Sequence, residues 1–168
     1  AKNNQNDILT YKKTMQENQL DNLDKAILQH LFEDGRKSYV QIAKELDVSN
    51  SLIHQRLARL KAMGIIQGTK VKINPLALGY QSCAYTGIKM SDGKMVKLVA
   101  KKLAEINEIV ECNYVSGQYA FLIKTYARNN DHMRQILFEK ILTIEGVAGT
   151  DTFIVFKQVF DRDIPIEH

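Results

Sequence analysis

Asn50, Ser51, His54, Gln55 and Arg59 recur at three- and four-residue spacing just behind Ser49, while Ile53, Leu57 and Leu60 recur at the same spacing between them. On a helix this puts the apolar set on one face and the hydrogen-bonding set on the opposite one. Short or forked polar groups on the outer face of a helix suit the reading of base edges: Gln55 could pair with adenine, and Arg59 with guanine or a phosphate. Arg56 sits beside Ile53 and Leu57 at the edge of the buried face. It has two open readings, a phosphate contact or an ion pair with Glu33 or Asp34 inside the same domain. Lys37, Lys70, Lys72 and the lysines near the N-terminus add charge that would position a protein on phosphates without specifying sequence.

Other chemistry is thinly represented. His30 and His132 have no Cys, His or acid at ligand spacing, so no metal is expected. There is no Gly-rich phosphate loop, no Gly-x-Ser-x-Gly elbow and no His-Glu-x-x-His, so neither catalysis nor a cofactor is expected. Cys83 and Cys112 fall in apolar strand contexts and read as reduced, buried thiols.

The elements that would carry the polar face can be read around it. Leu20, Leu23, Ile27, Leu28 and Leu31 mark a helix with Asp21 as N-cap, Asp24 in its first turn and Gly35 after its end. Ser38 and Gln41 form a capping-box pattern for a short second helix burying Ile42, Ala43 and Leu46. Asp47-Val48 makes a tight turn, Ser49 caps the third helix, and Gly64 closes it. This is the layout of a helix-turn-helix, whose third helix enters the major groove. The alternating residues 69–73 read as a wing strand, and Asn74-Pro75 and Gly79 as a linker.

Beyond the linker the period changes. Strands are expected over 81–90, 109–115, 119–127 and 147–159, and helices over 94–106 and 130–141. Ser116-Gly117-Gln118 is the hairpin loop between the middle strands. A β-α-β-β-α-β order packs two helices on one face of an antiparallel sheet, the ferredoxin-like arrangement. The fold class is therefore α+β, with a mobile polar arm over 1–19, a helix-turn-helix over 20–68, a wing and linker over 69–80 and a ferredoxin-like domain over 81–168. The uncovered sheet face calls for a second copy of the chain.

Composition agrees. With 168 residues, 45% hydrophobic and 25% charged, the chain is of the ordinary globular kind rather than disordered or disulfide-stapled. No apolar run approaches the length of a membrane span, and the first residues are polar rather than signal-like, so a cytoplasmic protein without a membrane partner is expected. The net charge of +4 lies wholly in residues 1–75, which hold twelve bases against eight acids. A basic half joined to a neutral half suggests one part for a polyanion such as double-stranded DNA and another with a different task.

The run from Leu20 to Gly68, LDNLDKAILQHLFEDGRKSYVQIAKELDVSNSLIHQRLARLKAMGIIQG, followed by Val115-Ser116-Gly117 and Leu122-Ile123-Lys124-Thr125, resembles the Lrp/AsnC (leucine-responsive, feast/famine) family of transcription factors. The resemblance implies a winged helix-turn-helix, a ferredoxin-like domain that dimerises and often assembles to octamers, and tuning by an amino-acid effector between subunits. It places that effector near Ser116, Gly117, Gln118, Tyr119 and Ala120. Family members frequently carry Gly-Asp-Tyr-Asp here, whereas this chain has Gly-Gln-Tyr-Ala. Gly117 keeps backbone N–H groups for a carboxylate, but an ammonium would need carbonyls, Asp151, or the hydroxyls of Thr150 and Thr152. The leading expectation is a sequence-specific regulator. The alternatives are a metabolite-binding ferredoxin-like protein and a non-specific nucleoid-packing protein.

Overall fold

The computed structural model describes residues 20–162 and 164–166. The arm expected over residues 1–19 lies outside them. The chain divides into two units, one running to Val71 and taking in the tail from Arg162, the other spanning Lys72–Asp161.

Among the described residues the first unit holds three helices, α1 (Asn22–Glu33), α2 (Tyr39–Glu45) and α3 (Asn50–Ala62). Each starts where a side chain replaces a missing backbone partner. Asp21 accepts from the Asp24 amide at 2.9 Å, and Asp24 returns a carboxylate to the Asp21 amide at 3.3 Å, a reciprocal box. Ser38 accepts from the Gln41 amide, but the Gln41 side chain donates to Glu45 rather than back to Ser38, so the expected second box is only half made. Asp47 takes a positive φ of 53° in the turn before α3, a conformation that Asp tolerates better than most residues. Ile27, Leu28, Ile42, Ala43, Ile53, Leu57 and Leu60 close over one another as the core. Each large side chain among them contributes about 1.5–3 kcal/mol by leaving water.

Two boundaries differ from the expectation. Residues 69–73 form no strand: Val71 and Ile73 are exposed and, among the described residues, have no partner strand to turn their alternation into a ladder. The tail does not end within the sheet domain, because Ile166 packs against the first unit's core.

The second unit holds β1 (Ser82–Met90), α4 (Val96–Ala104), β2 (Ile109–Tyr114), β3 (Phe121–Ala127), α5 (Asn130–Gln135, continuing as wider π turns over Ile136–Ile141) and β4 (Val147–Ile154). Its sheet has the order β2-β3-β1-β4, with every neighbouring pair antiparallel. Ala84, Ile88, Phe121 and Ile123 from the sheet meet Val99, Leu103, Met133 and Ile136 from the helices. The alternation of β3, with Phe121, Ile123, Thr125 and Ala127 buried and the residues between them half-buried, shows one face covered by helices and the other open.

The last strand stops at Ile154 instead of reaching 159. Its ladder ends with the Val155 amide on the Cys83 carbonyl, and Phe156, Val159 and Phe160 beyond it are exposed. Cys83 is half-buried, which pushes its thiol up. Cys112, expected to be buried, is exposed because β2 is an edge strand.

Candidate nucleic-acid interface and effector loop

Ser49 starts α3 by accepting from the Leu52 amide at 3.2 Å, and its hydroxyl pairs with that of Ser51 at 3.0 Å. With Ile53, Leu57 and Leu60 buried, the outer face presents Asn50, Ser51, His54 and Gln55, all exposed. Ala58 and Ala62 continue that face with Lys61 between them; the two alanines, small and apolar, gave no signal in the sequence, and Lys61 counted there only toward the net charge. The edge of His54 meets the Tyr39 ring of α2 at 5.2 Å and 84°, which restrains the imidazole at the helix surface.

The two arginines stand elsewhere. Arg59 follows Arg56 by three residues and shares its side of the helix, and both turn toward the start of α1. Arg59 donates to Asp24 Oδ2 at 2.9 Å, and Arg56 donates to Asp24 Oδ1 at 3.2 Å and to Asp21. Asp24 is fully buried. Of the two readings of Arg56 the ion pair holds, but its partners are Asp21 and Asp24; Glu33 and Asp34 stand at the other end of α1. Arg59, expected on the base-reading face, belongs to the same cluster. The Asp21 carboxyl is held below the usual range by the Asp24 amide and then by Arg56, and Arg56 is raised in turn by Asp21. The signal in the sequence was a matched spacing, two acids three residues apart at a helix start and two arginines three apart in α3.

The loop between β2 and β3 closes through the Val115 amide on the Ala120 carbonyl at 3.0 Å, with Gly117 at φ 111°. Ser116, Gly117 and Gln118 are exposed, and Tyr119 and Ala120 are half-buried. The Ala120 amide donates to Ile88 at 2.8 Å, tying the loop to β1. From there the Tyr119 hydroxyl donates to Asp151 Oδ2 at 2.9 Å. Lys89 also reaches Asp151, at 2.8 Å, and lies 5.7 Å from the Tyr119 ring centre. Asp151 is lowered by Lys89 and then by Tyr119, while the Tyr119 hydroxyl is raised by the carboxylate it serves.

Thr150 and Thr152 do not join this group. They pair across the ladder with Ile88 and Thr86, whose side chains are buried under the helices, and the Thr152 hydroxyl is bonded to that of Thr86 at 3.0 Å. Strand alternation therefore puts them on the face opposite Asp151. His30 and His132 take part in hydrogen-bonded pairs with Lys37 and Glu108. Among the described residues no group of three His, Cys, Asp or Glu stands close enough to hold a metal ion, and no helix is long and apolar enough to cross a membrane.

A capped three-helix unit with a polar outer face on its third helix, joined to a ferredoxin-like sheet domain, defines a helix-turn-helix DNA-binding protein with a second, sensing or assembling domain. Residues 20–67 match the winged helix-turn-helix DNA-binding family, and residues 83–165 match the Lrp/AsnC ligand binding domain. The chain is 34% identical over 145 residues to the regulatory protein AsnC of Escherichia coli K12, which covers 86% of this chain and 95% of that protein. The solved structure of E. coli AsnC superposes with a TM-score of 0.83 at 34% identity, covering 87% of this chain and 98% of that one. A feast or famine regulatory protein from M. tuberculosis, complexed with L-methionine, superposes with a TM-score of 0.81 at 25% identity, over 89% of this chain and all of that one. The chain belongs to the Lrp/AsnC family of DNA-binding transcriptional regulators.

Proposed function

We propose that the chain is a sequence-specific regulator that grips DNA as a dimer or larger assembly through α3, and that an amino acid bound at the β2–β3 loop tunes its DNA affinity or its assembly. The observation that carries the reading is the exposed face Asn50, Ser51, His54 and Gln55 on a helix whose opposite side is locked into the core. In a helix-turn-helix that face meets base edges, with Ser49 at the helix start and Arg56 and Arg59 behind.

A second copy of the chain suits the open sheet face, where Lys124 lies 5.6 Å from both the Tyr85 and Tyr126 ring centres and Phe153 is exposed. Two recognition helices related by a two-fold axis require half-sites about one helical turn apart or a multiple of it. Further assembly, to an octamer, follows the family's habit.

For the effector, Gly117 with Ser116 and Gln118 offers backbone N–H groups to a carboxylate. Asp151 supplies the anion that an ammonium needs, at the expense of its pairing with Lys89. Tyr119 and Ala120 would form the floor. The L-methionine complex of the mycobacterial relative supports an amino acid as the ligand class. Such a ligand regulates only if it binds one DNA-competent or assembly state better than the other. The reading places the protein in the cytoplasm, with no catalytic role of its own.

The test is a selection of bound fragments from random-sequence duplex DNA at about 150 mM salt, where weak phosphate attraction is suppressed. It is run with and without a pool of amino acids. An enriched motif with dyad symmetry is the expected result, with its yield changed by the pool. The absence of any motif under both conditions contradicts the reading.

A further inference from the structure

Recognition helices commonly carry arginines, and here two of them are already occupied. Asp21 and Asp24, the N-cap and third residue of α1, face Arg56 and Arg59, one turn apart on α3. Two carboxylates and two guanidiniums give a cluster of zero formal charge. Asp24 has no exposure to water, so if the arginines swung out to reach phosphates it would remain as an unpaired buried carboxylate. That is among the costlier states a folded protein can adopt. The arginines are therefore held in place although their side chains are 25% and 37% exposed. By contrast Lys44 and Lys61, on the exposed sides of α2 and α3, have no acidic partner among the described residues.

We propose that Asp21 and Asp24 are positioning residues that limit the protein's sequence-independent affinity: by neutralising Arg56 and Arg59 they withhold two guanidiniums from the DNA backbone, so that α3 meets DNA through its uncharged polar face instead of gripping any duplex tightly. The inference rests on the reading that α3 faces DNA. Its physical basis is that non-specific affinity rises with the number of phosphates a protein neutralises, whereas base contacts carry the sequence information. Two charges withdrawn from the surface lower binding to all sequences together and leave the difference between sequences to Asn50, Ser51, His54 and Gln55.

The variant that tests this most cleanly is Asp21→Asn, because Asn caps a helix about as well as Asp while removing the charge that faces Arg56. Asp24→Asn removes the carboxylate that both arginines share and leaves Arg56 with Asp21 alone, but it places an amide in a buried ionic site, so Asp21→Asn keeps the test open if that second variant does not fold. Full-length protein is titrated with a random-sequence duplex and with its selected operator across a series of salt concentrations, after thermal melting has shown the variant folded. The expected result is several-fold tighter binding of the random duplex and of the operator alike, a salt dependence steeper by about 0.9 in log–log slope for each added phosphate contact, and a ratio of operator to random affinity that stays the same. Folded Asp21→Asn protein whose random-duplex affinity and slope equal those of the parent, or fall below them, overturns the inference while leaving the DNA reading intact. A parent protein that binds neither duplex overturns both.

Discussion

The ring of Tyr119 occupies the space that a side chain on Gly87 would need: a Cβ at that position would lie 2.6 Å from Tyr119 Cδ1. The absence of a side chain in the middle of β1 is what lets the hairpin loop fold down so that the Tyr119 hydroxyl reaches Asp151 across the sheet. Gly87→Ala is therefore an overpacking change, expected to cost about 1–3 kcal/mol. It is also expected to lift Tyr119 off Asp151 and weaken any amino-acid-dependent rise in melting temperature. Thermal melting with and without the ligand pool measures both. A variant with the parent's melting temperature and the parent's ligand response would show that the close approach has no consequence.

The contact between Tyr39 and His54 links the first turn of α2 to the exposed polar face of α3 proposed to read DNA. Removing the ring by Tyr39→Ala leaves the imidazole unrestrained, and an aromatic pair of this kind is worth about 0.5–1.5 kcal/mol. Operator affinity is expected to fall by a factor of about 2 to 10, that energy converted. Random-duplex affinity should stay unchanged, since no charge is altered. Equal losses on both duplexes would point to a general loosening of the domain.

Glu108 contributes to the acid sensitivity of the second unit. It accepts from Lys140 at 2.7 Å and from His132 Nε2 at 3.2 Å, while His132 Nδ1 accepts from the Arg128 amide, which leaves the ring proton on Nε2. Lys140, with a smaller share from His132, holds the Glu108 carboxyl below its ordinary value. A carboxylate whose folded pKa is depressed stabilises the fold above its unfolded pKa of about 4.3 and loses that contribution as pH falls through the folded value. Acidification from about pH 6 to pH 3 should lower the urea midpoint less in Glu108→Gln than in the parent. Identical acid losses in the two proteins would remove Glu108 from the account.

Much of this architecture was legible in the sequence, because the signals were local. Capping residues at Asp21, Ser38 and Ser49 and the apolar spacing after each placed the helices α1, α2 and α3. The antiparallel sheet with its two helices on one face was legible in the β-α-β-β-α-β succession. What escaped was set by tertiary partners. Alternation over 69–73 did not make a strand, since a strand needs a neighbour and Val71 and Ile73 have none among the described residues. Arg59 sits at polar helical spacing, yet it turns to a carboxylate 35 residues earlier in the chain. Thr150 and Thr152 were grouped with Asp151 by sequence proximity, and the pleat of β4 separates them from it.

The central claim is that α3 reads bases with its uncharged polar face, and Gln55 is its most exacting member because one side chain should govern one base pair in each half-site. The decisive measurement is the selected DNA motif of Gln55→Ala against that of the parent, obtained from the same random-sequence pool at the same salt. The account predicts that the variant keeps the dyad and the half-site spacing and loses preference at one symmetry-related pair of positions, with an affinity loss of about 1–3 kcal/mol confined to the parent operator. A variant that selects the parent's motif with undiminished preference at every position would contradict it.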